Sequence, residues 1–142
     1  CSSDLMPPGL IQLAGYRTAW TVGCSWCVDF GEMRMRLDAL DIERLKHIAD
    51  FESSPAFTDA DRAVIRLSDA MTSTPMTVTD EQIAALDKTY GHAGVLELTY
   101  QIALENQRAR MNHALDITDQ GFNSGDSCRV PWADDQELST RA

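Results

Sequence analysis

Positive charge is scarce in this chain: 12 Lys and Arg stand against 22 Asp and Glu in 142 residues, a formal net charge of −10. Such a surface repels phosphate backbones, so nucleic acid is excluded as a natural partner, and anionic membranes are disfavoured too. Long apolar runs are also missing. None approaches the ~20 residues a helix needs to cross a bilayer. No basic segment followed by an apolar one marks a signal peptide. The chain opens on Cys1 rather than Met, so the native N-terminus is expected to lie upstream. Cysteine is sparse, with 4 in the whole chain. That excludes a disulfide-dense secreted scaffold and points to a reducing, cytoplasmic compartment. Strand-like alternation and internal repeats are lacking as well.

What remains is helical periodicity in one domain spanning residues 1–142, long enough to bury a real core. Pro7, Pro8 and Gly9 break the chain ahead of "LIQLAGYRTAWTV" (10–22), which is apolar on most faces. Pro8 suits a first helical turn, and a helix apolar all round is usually buried. Gly23 punctuates, and a second helix is predicted from near Cys24 to about Ala39. Residues 41–51 place Ile42, Leu45, Ile48 and Ala49 at helical spacing. "TDAD" (58–61) and "TDEQ" (79–82) read as capping boxes that open two further helices, the second ending at Tyr90. Gly91 and Gly94 flank the turn into a last helix, about 93–115, with Val95, Leu98, Ile102 and Ala109 on one face. Asn106 and His113 fall on the same stripe. Residues 117–142 have no clear period and predict an extended tail, whose acidic Asp134, Asp135 and Glu137 serve solubility. The expected class is all-α, about six helices.

The chemistry concentrates in "TVGCSWCVDFGEMRMR" (21–36). Cys24 and Cys27 lie three apart at a predicted helix start. Exposed backbone N–H groups and the helix dipole stabilise a thiolate there, chiefly at Cys24, whereas Cys27 sits a turn deeper and needs another activating group. Three readings stand: a redox pair, half of a zinc site, or two small core residues. Zinc needs two more ligands, and Cys1, Cys128, His47, His92 and His113 supply no recognisable spacing. Free cysteine is often simply buried. A βαβ context of the thioredoxin kind is absent.

An apolar helix, then "GCSWCVDFG", then "LTYQIALENQRARMNHALDI" and the phrase "QGF" together resemble the carboxymuconolactone decarboxylase family. The closer likeness is to its alkylhydroperoxidase-D-like branch, which bears the C-x-x-C pair, and it covers roughly Leu10 to Pro131. The resemblance implies an all-α fold with the thiols at a helix start, and assembly into homo-trimers or homo-hexamers. It also implies a further helix before the point where this chain begins. In peroxidase members a Glu stands twelve residues before the first cysteine and a His four residues after the second. By that match Cys27 attacks the peroxide and Cys24 resolves it as a disulfide, with no metal or organic cofactor. The partners implied are a small-molecule hydroperoxide and an external dithiol reductant.

The relay positions depart from that pattern: Gln12 stands in place of Glu and Gly31 in place of His. Neither can take a proton from a thiol near pH 7. Asp29 and Glu32 are poor substitutes, because a carboxylate beside a thiol raises its pKa. Tyr16, His113 or a neighbouring subunit are the candidate replacements. Trp26, between the cysteines, reads as pocket lining or interface. Asn106 reads as a buried amide or a supporting site residue, and Glu105 as the partner of Arg108 or Arg110 in an intersubunit ion pair, or a site acid. Two alternatives stand beside a thiol peroxidase of modest rate. One is a non-catalytic, redox-sensing oligomer. The other is a repurposed decarboxylase or isomerase acting on a lactone or ring substrate through Glu105 or His113.

Overall fold

A computed structural model describes residues 5–123. Cys1, Cys128, the acidic cluster at 134–137 and residues 124–142 of the expected tail lie outside the described residues. Among those described there is no strand, and five helical elements follow one another: α1 (Pro8–Val22), α2 (Ser25–Leu37), a 3-10 helix (Glu43–Asp50), α3 (Asp59–Thr72) and α4 (Asp80–Ala114).

α1 is the central element and packs against α2, α3 and α4. Its apolar sequence is used on opposite faces, as a helix without a polar stripe requires. Leu13, Tyr16 and Ala19 join Val28, Met35, Leu45, Ile48 and Ile65 in one buried cluster. Leu10 and Ala14 join Val64, Leu67, Leu98 and Ile102 in another. The one charged side chain buried within α1 is fully engaged. Arg17 donates to Asp69 at 2.7 and 2.9 Å and to the Ile48 carbonyl at 2.8 Å. Its guanidinium also lies 4.5 Å from the Trp20 ring centre and 5.1 Å from that of Phe51, where the ring faces attract it.

The starts and stops are local chemistry. Pro8 opens α1, where its missing N–H is no loss. Gly23, at φ 88°, closes it in the left-handed conformation, with its N–H bonded to the Ala19 carbonyl at 2.9 Å. Both capping boxes form: Thr58 with Asp61 at the start of α3, and Thr79 with Gln82 at the start of α4. One detail differs from the sequence reading, and one expected break takes a tighter form. Residues 43–50 wind as a 3-10 helix, which leaves Ala49 exposed while Leu45 and Ile48 are buried. The expected break between two helices is present at Gly91, where the two join directly across a kink to make α4. The glycine's φ of 73° and ψ of 165° are non-helical, yet the helix resumes beyond it. No described helix is long and apolar enough to cross a membrane.

Candidate functional site

The two cysteines meet where α1 hands the chain to α2. Gly23 turns it, Cys24 becomes the N-cap of α2, and Cys27 lies in the first turn. The spacing brings their Cα atoms to 5.2 Å, and the sulfurs are joined as a disulfide. Cys24 Sγ also caps the helix by accepting the backbone N–H of Cys27 at 3.1 Å, which satisfies one of the orphan donors of a helix start. Both residues are buried, 1% and 6% exposed, in the cluster that holds Leu13, Tyr16 and Ala109. The redox-pair and small-core readings therefore describe the same two atoms. Among the described residues no group of three or more His, Cys, Asp or Glu could hold a metal ion.

The relay positions are filled by groups that cannot activate a thiol. The Gln12 amide donates to the Asp38 carboxylate. Asp38 is eleven residues past Cys27, about 16 Å along α2. Gly31 faces α1, and a Cβ built on it would lie 3.5 Å from the Tyr16 ring. Tyr16 thus stands next to the space a side chain at 31 would use, buried in the same cluster as the cysteines.

The far end of α4 closes on the pair. Ala109 packs in the cysteine cluster. One turn later the side-chain amide of Asn112 donates to Cys27 Sγ at 3.4 Å. Next to it, His113 Nδ1 lies 3.2 Å from the Val22 carbonyl and so holds the end of α1, not a thiol. Asn106 faces α3, donating to Thr72 Oγ1 at 3.1 Å and to the Ile102 carbonyl at 3.2 Å. Sequence reasoning missed Asn112, although the signal was present: Leu98, Ile102, Glu105, Ala109 and Asn112 are spaced four, three, four and three apart. The expected stripe named Asn106 and His113, each one position away from it.

Glu105 lies on that stripe, 7% exposed, seven residues and about 10 Å along the helix from Asn112. Arg108, one turn on, pairs with it within this chain and not across the expected subunit interface. Burial pushes its carboxyl above the usual carboxylate range, and the Arg108 charge only partly opposes that.

After α4 the chain doubles back over the start of α2. Ser25 Oγ accepts the Asp119 N–H at 3.2 Å. Asp29, 1% exposed, gathers the backbone N–H groups of Gln120, Phe122 and Asn123 at 3.2, 2.9 and 3.1 Å. The Asn123 side chain adds bonds to the Asp29 carboxylate and carbonyl at 3.0 and 2.6 Å. Gly121, at φ 73°, provides the left-handed turn that aims these donors inward. Trp26 is stacked on Phe30 with ring centres 4.9 Å apart, and Phe122 meets both edge-on at 6.2 and 6.1 Å. Trp26 therefore packs beneath the returning strap. The quoted "QGF" is this strap, and part of the expected extended tail is a docked element.

No protein-family model matches the chain, and no solved structure matches it. The chain is similar to the uncharacterized protein YnjA of Escherichia coli (strain K12), 32% identical over 126 residues. The match takes in 89% of this chain and 66% of YnjA, so the chain spans just under two thirds of that relative's length.

Proposed function

We propose that this protein is a thiol-dependent hydroperoxidase of the alkylhydroperoxidase-D-like kind, within the carboxymuconolactone decarboxylase family that its sequence resembles. The observation that carries the reading is the Cys24–Cys27 disulfide closed across the first turn of α2. A redox pair at a helix start needs that geometry. In the proposed cycle the Cys27 thiolate attacks one oxygen of ROOH. The O–O bond breaks, ROH leaves after taking a proton, and Cys27 becomes a sulfenic acid. The Cys24 thiolate then attacks that sulfur, the S–O bond breaks, and water leaves as the disulfide forms. An external dithiol is oxidised to its own disulfide and returns both cysteines to thiols. A reducing, cytoplasmic setting belongs to this reading.

The test is hydroperoxide consumption driven by dithiothreitol. Cys27→Ser is expected to abolish turnover, and Cys24→Ser to slow it to the rate at which dithiothreitol itself reduces the Cys27 sulfenic acid. Full activity in Cys27→Ser overturns the proposal. Activity on a lactone or ring substrate that survives loss of both cysteines would point to the repurposed lyase or isomerase.

A second reading is favoured by the strap. Its anchors, Ser25 and Asp29, lie within and just after the C-x-x-C turn. A redox-sensing oligomer would use such a connection to pass the state of the disulfide to the C-terminal segment. It predicts a titratable disulfide without turnover, and an assembly or partner that changes on oxidation.

The assembly belongs to the proposal as well. Leu96, Tyr100, Met111 and Leu115 leave large apolar side chains exposed along the outer side of α4 and just beyond its end. Their exposure supports a homo-trimer or homo-hexamer.

A further inference from the structure

We propose that Asn112 is a catalytic residue of the thiol pair, its side-chain N–H stabilising the charge that Cys27 Sγ carries whenever the disulfide is open. The inference rests on the reading that the pair cycles between disulfide and dithiol, and names the group that activates Cys27 in place of the missing Glu and His.

The two sulfurs have separate donors. Cys24 Sγ accepts the Cys27 backbone N–H at 3.1 Å, a bond supplied by the helix start itself. Cys27 Sγ lies a turn deeper and receives the Asn112 amide from α4 at 3.4 Å. A disulfide sulfur carries no proton, so only the N–H end of that amide suits it. As a disulfide it is a weak acceptor, whereas a thiolate makes a charge-assisted bond of roughly twice the strength. The contact therefore favours the reduced, ionised state over the oxidised one.

Asn112 is well held for this work. The Ile117 N–H bonds to its carbonyl at 2.9 Å, and His113 beside it meets the Val22 carbonyl at 3.2 Å. Ala109, one turn before, packs among the cysteines. The titratable groups on the surrounding elements do not duplicate the role. On α2, Asp29 is saturated by the strap and Glu32 is paired with Arg36. On α1 Tyr16 shares the cluster, its ring against Gly31 of α2. On α4, His113 is turned to Val22 and Glu105 is two turns away, paired with Arg108. From the strap, Asp119 meets Ser25 through its backbone. The 3-10 helix and α3 contribute Leu45, Ile48 and Ile65, which are apolar.

The contact acts at the reduction step. The thiolate of an external dithiol attacks Cys24 Sγ, the S–S bond breaks, and its electron pair leaves on Cys27 Sγ, where the Asn112 N–H already lies. The second thiol of the reductant then attacks the reductant's own sulfur in that mixed disulfide. Cys24 leaves and takes the second thiol's proton, the reductant closes its own disulfide, and Cys27 stays a thiolate until it takes up the proton the first thiol gave to solvent.

The test uses the full chain and needs no hydroperoxide. Cys27 is titrated by pH-dependent alkylation in a Cys24→Ser background, with Asn112→Ala and Asn112→Leu compared with Asn112, and folding checked by circular dichroism. Either folded variant is expected to raise the Cys27 pKa by about one unit. With both cysteines present, the same variants are expected to shift the dithiothreitol equilibrium about tenfold toward the disulfide above the thiol pKa, about 30 mV, and not at all well below it. Unchanged pKa and equilibrium in a folded variant overturn the proposal. Should neither variant fold, the Asn112 side-chain amide resonance of the reduced wild-type protein carries the test. It is expected to titrate with the Cys27 midpoint, and a flat resonance overturns the proposal. A pKa shift without hydroperoxide turnover would retain this role for Asn112 and discard the peroxidase reading.

Discussion

Asp29 and Glu105 are both buried carboxylates, and their partners treat them differently. Asp29 receives three backbone N–H groups and a side-chain amide, which together replace its hydration shell. Glu105 has Arg108, itself largely exposed, and its carboxyl is raised by burial. A carboxyl raised in the folded state holds its proton longer than in the unfolded chain. Its contribution is therefore present at low pH and is lost as pH rises from the ordinary value of 4.5 through the folded one. Glu105→Gln is expected to remove that decline, read as urea-unfolding free energies of both proteins between pH 4 and 7. Parallel profiles would show that the Arg108 pair fully offsets the burial. The thiols give a second dependence. If hydroperoxide consumption is limited by an unassisted thiol, the rate is expected to rise nearly tenfold per pH unit up to about 8.5. If Asn112 activates Cys27, the plateau begins about one unit lower. Stopped-flow rates from pH 6 to 9.5 separate the two.

Two elements depend on unusual local backbone. The kink in α4 sits at Gly91, whose φ of 73° and ψ of 165° belong almost only to glycine. Nothing lies within 4 Å of a Cβ built there, so the cost of a side chain is conformational and not steric. Gly91→Ala is expected to lose about 1–3 kcal/mol, measured by denaturant unfolding. A neutral result would mean that the two halves of α4 can straighten without penalty. The strap depends on Asp29 in a different way. Asp29→Ala leaves three backbone N–H groups without their acceptor. About 2 kcal/mol is expected to be lost, together with amide-exchange protection at 120–123. Retained protection would assign the docking to the Trp26, Phe30 and Phe122 rings instead. Sequence could place both capping boxes and the break at Gly91, because each is decided within four residues. It could not place the strap. Asp29 and its donors are more than ninety residues apart, and a carboxylate inside a helix carries no sign of a distant partner.

At the scale of the whole molecule, the exposed apolar residues of α4 predict assembly. Leu96→Glu with Tyr100→Glu is expected to convert a homo-oligomer into a monomer of unchanged helicity, read by light scattering and circular dichroism. An unaltered mass would move the interface elsewhere. The all-α class, the burial of α1 on opposite faces and the close approach of Cys24 to Cys27 were legible in the sequence. Each follows from periodicity or from spacing along a single helix, which local geometry fixes. The surroundings of the thiols were not legible. Gln12 and Gly31 announced only that a relay was missing. That Tyr16 stands beside Gly31, that Asn106 turns to Thr72, and that Asn112 reaches Cys27 from α4 were decided by helix packing. A rotation of one residue on α4, about 100°, separates Asn112 from His113, and only the tertiary contacts of α4 with α1 and α2 set that angle.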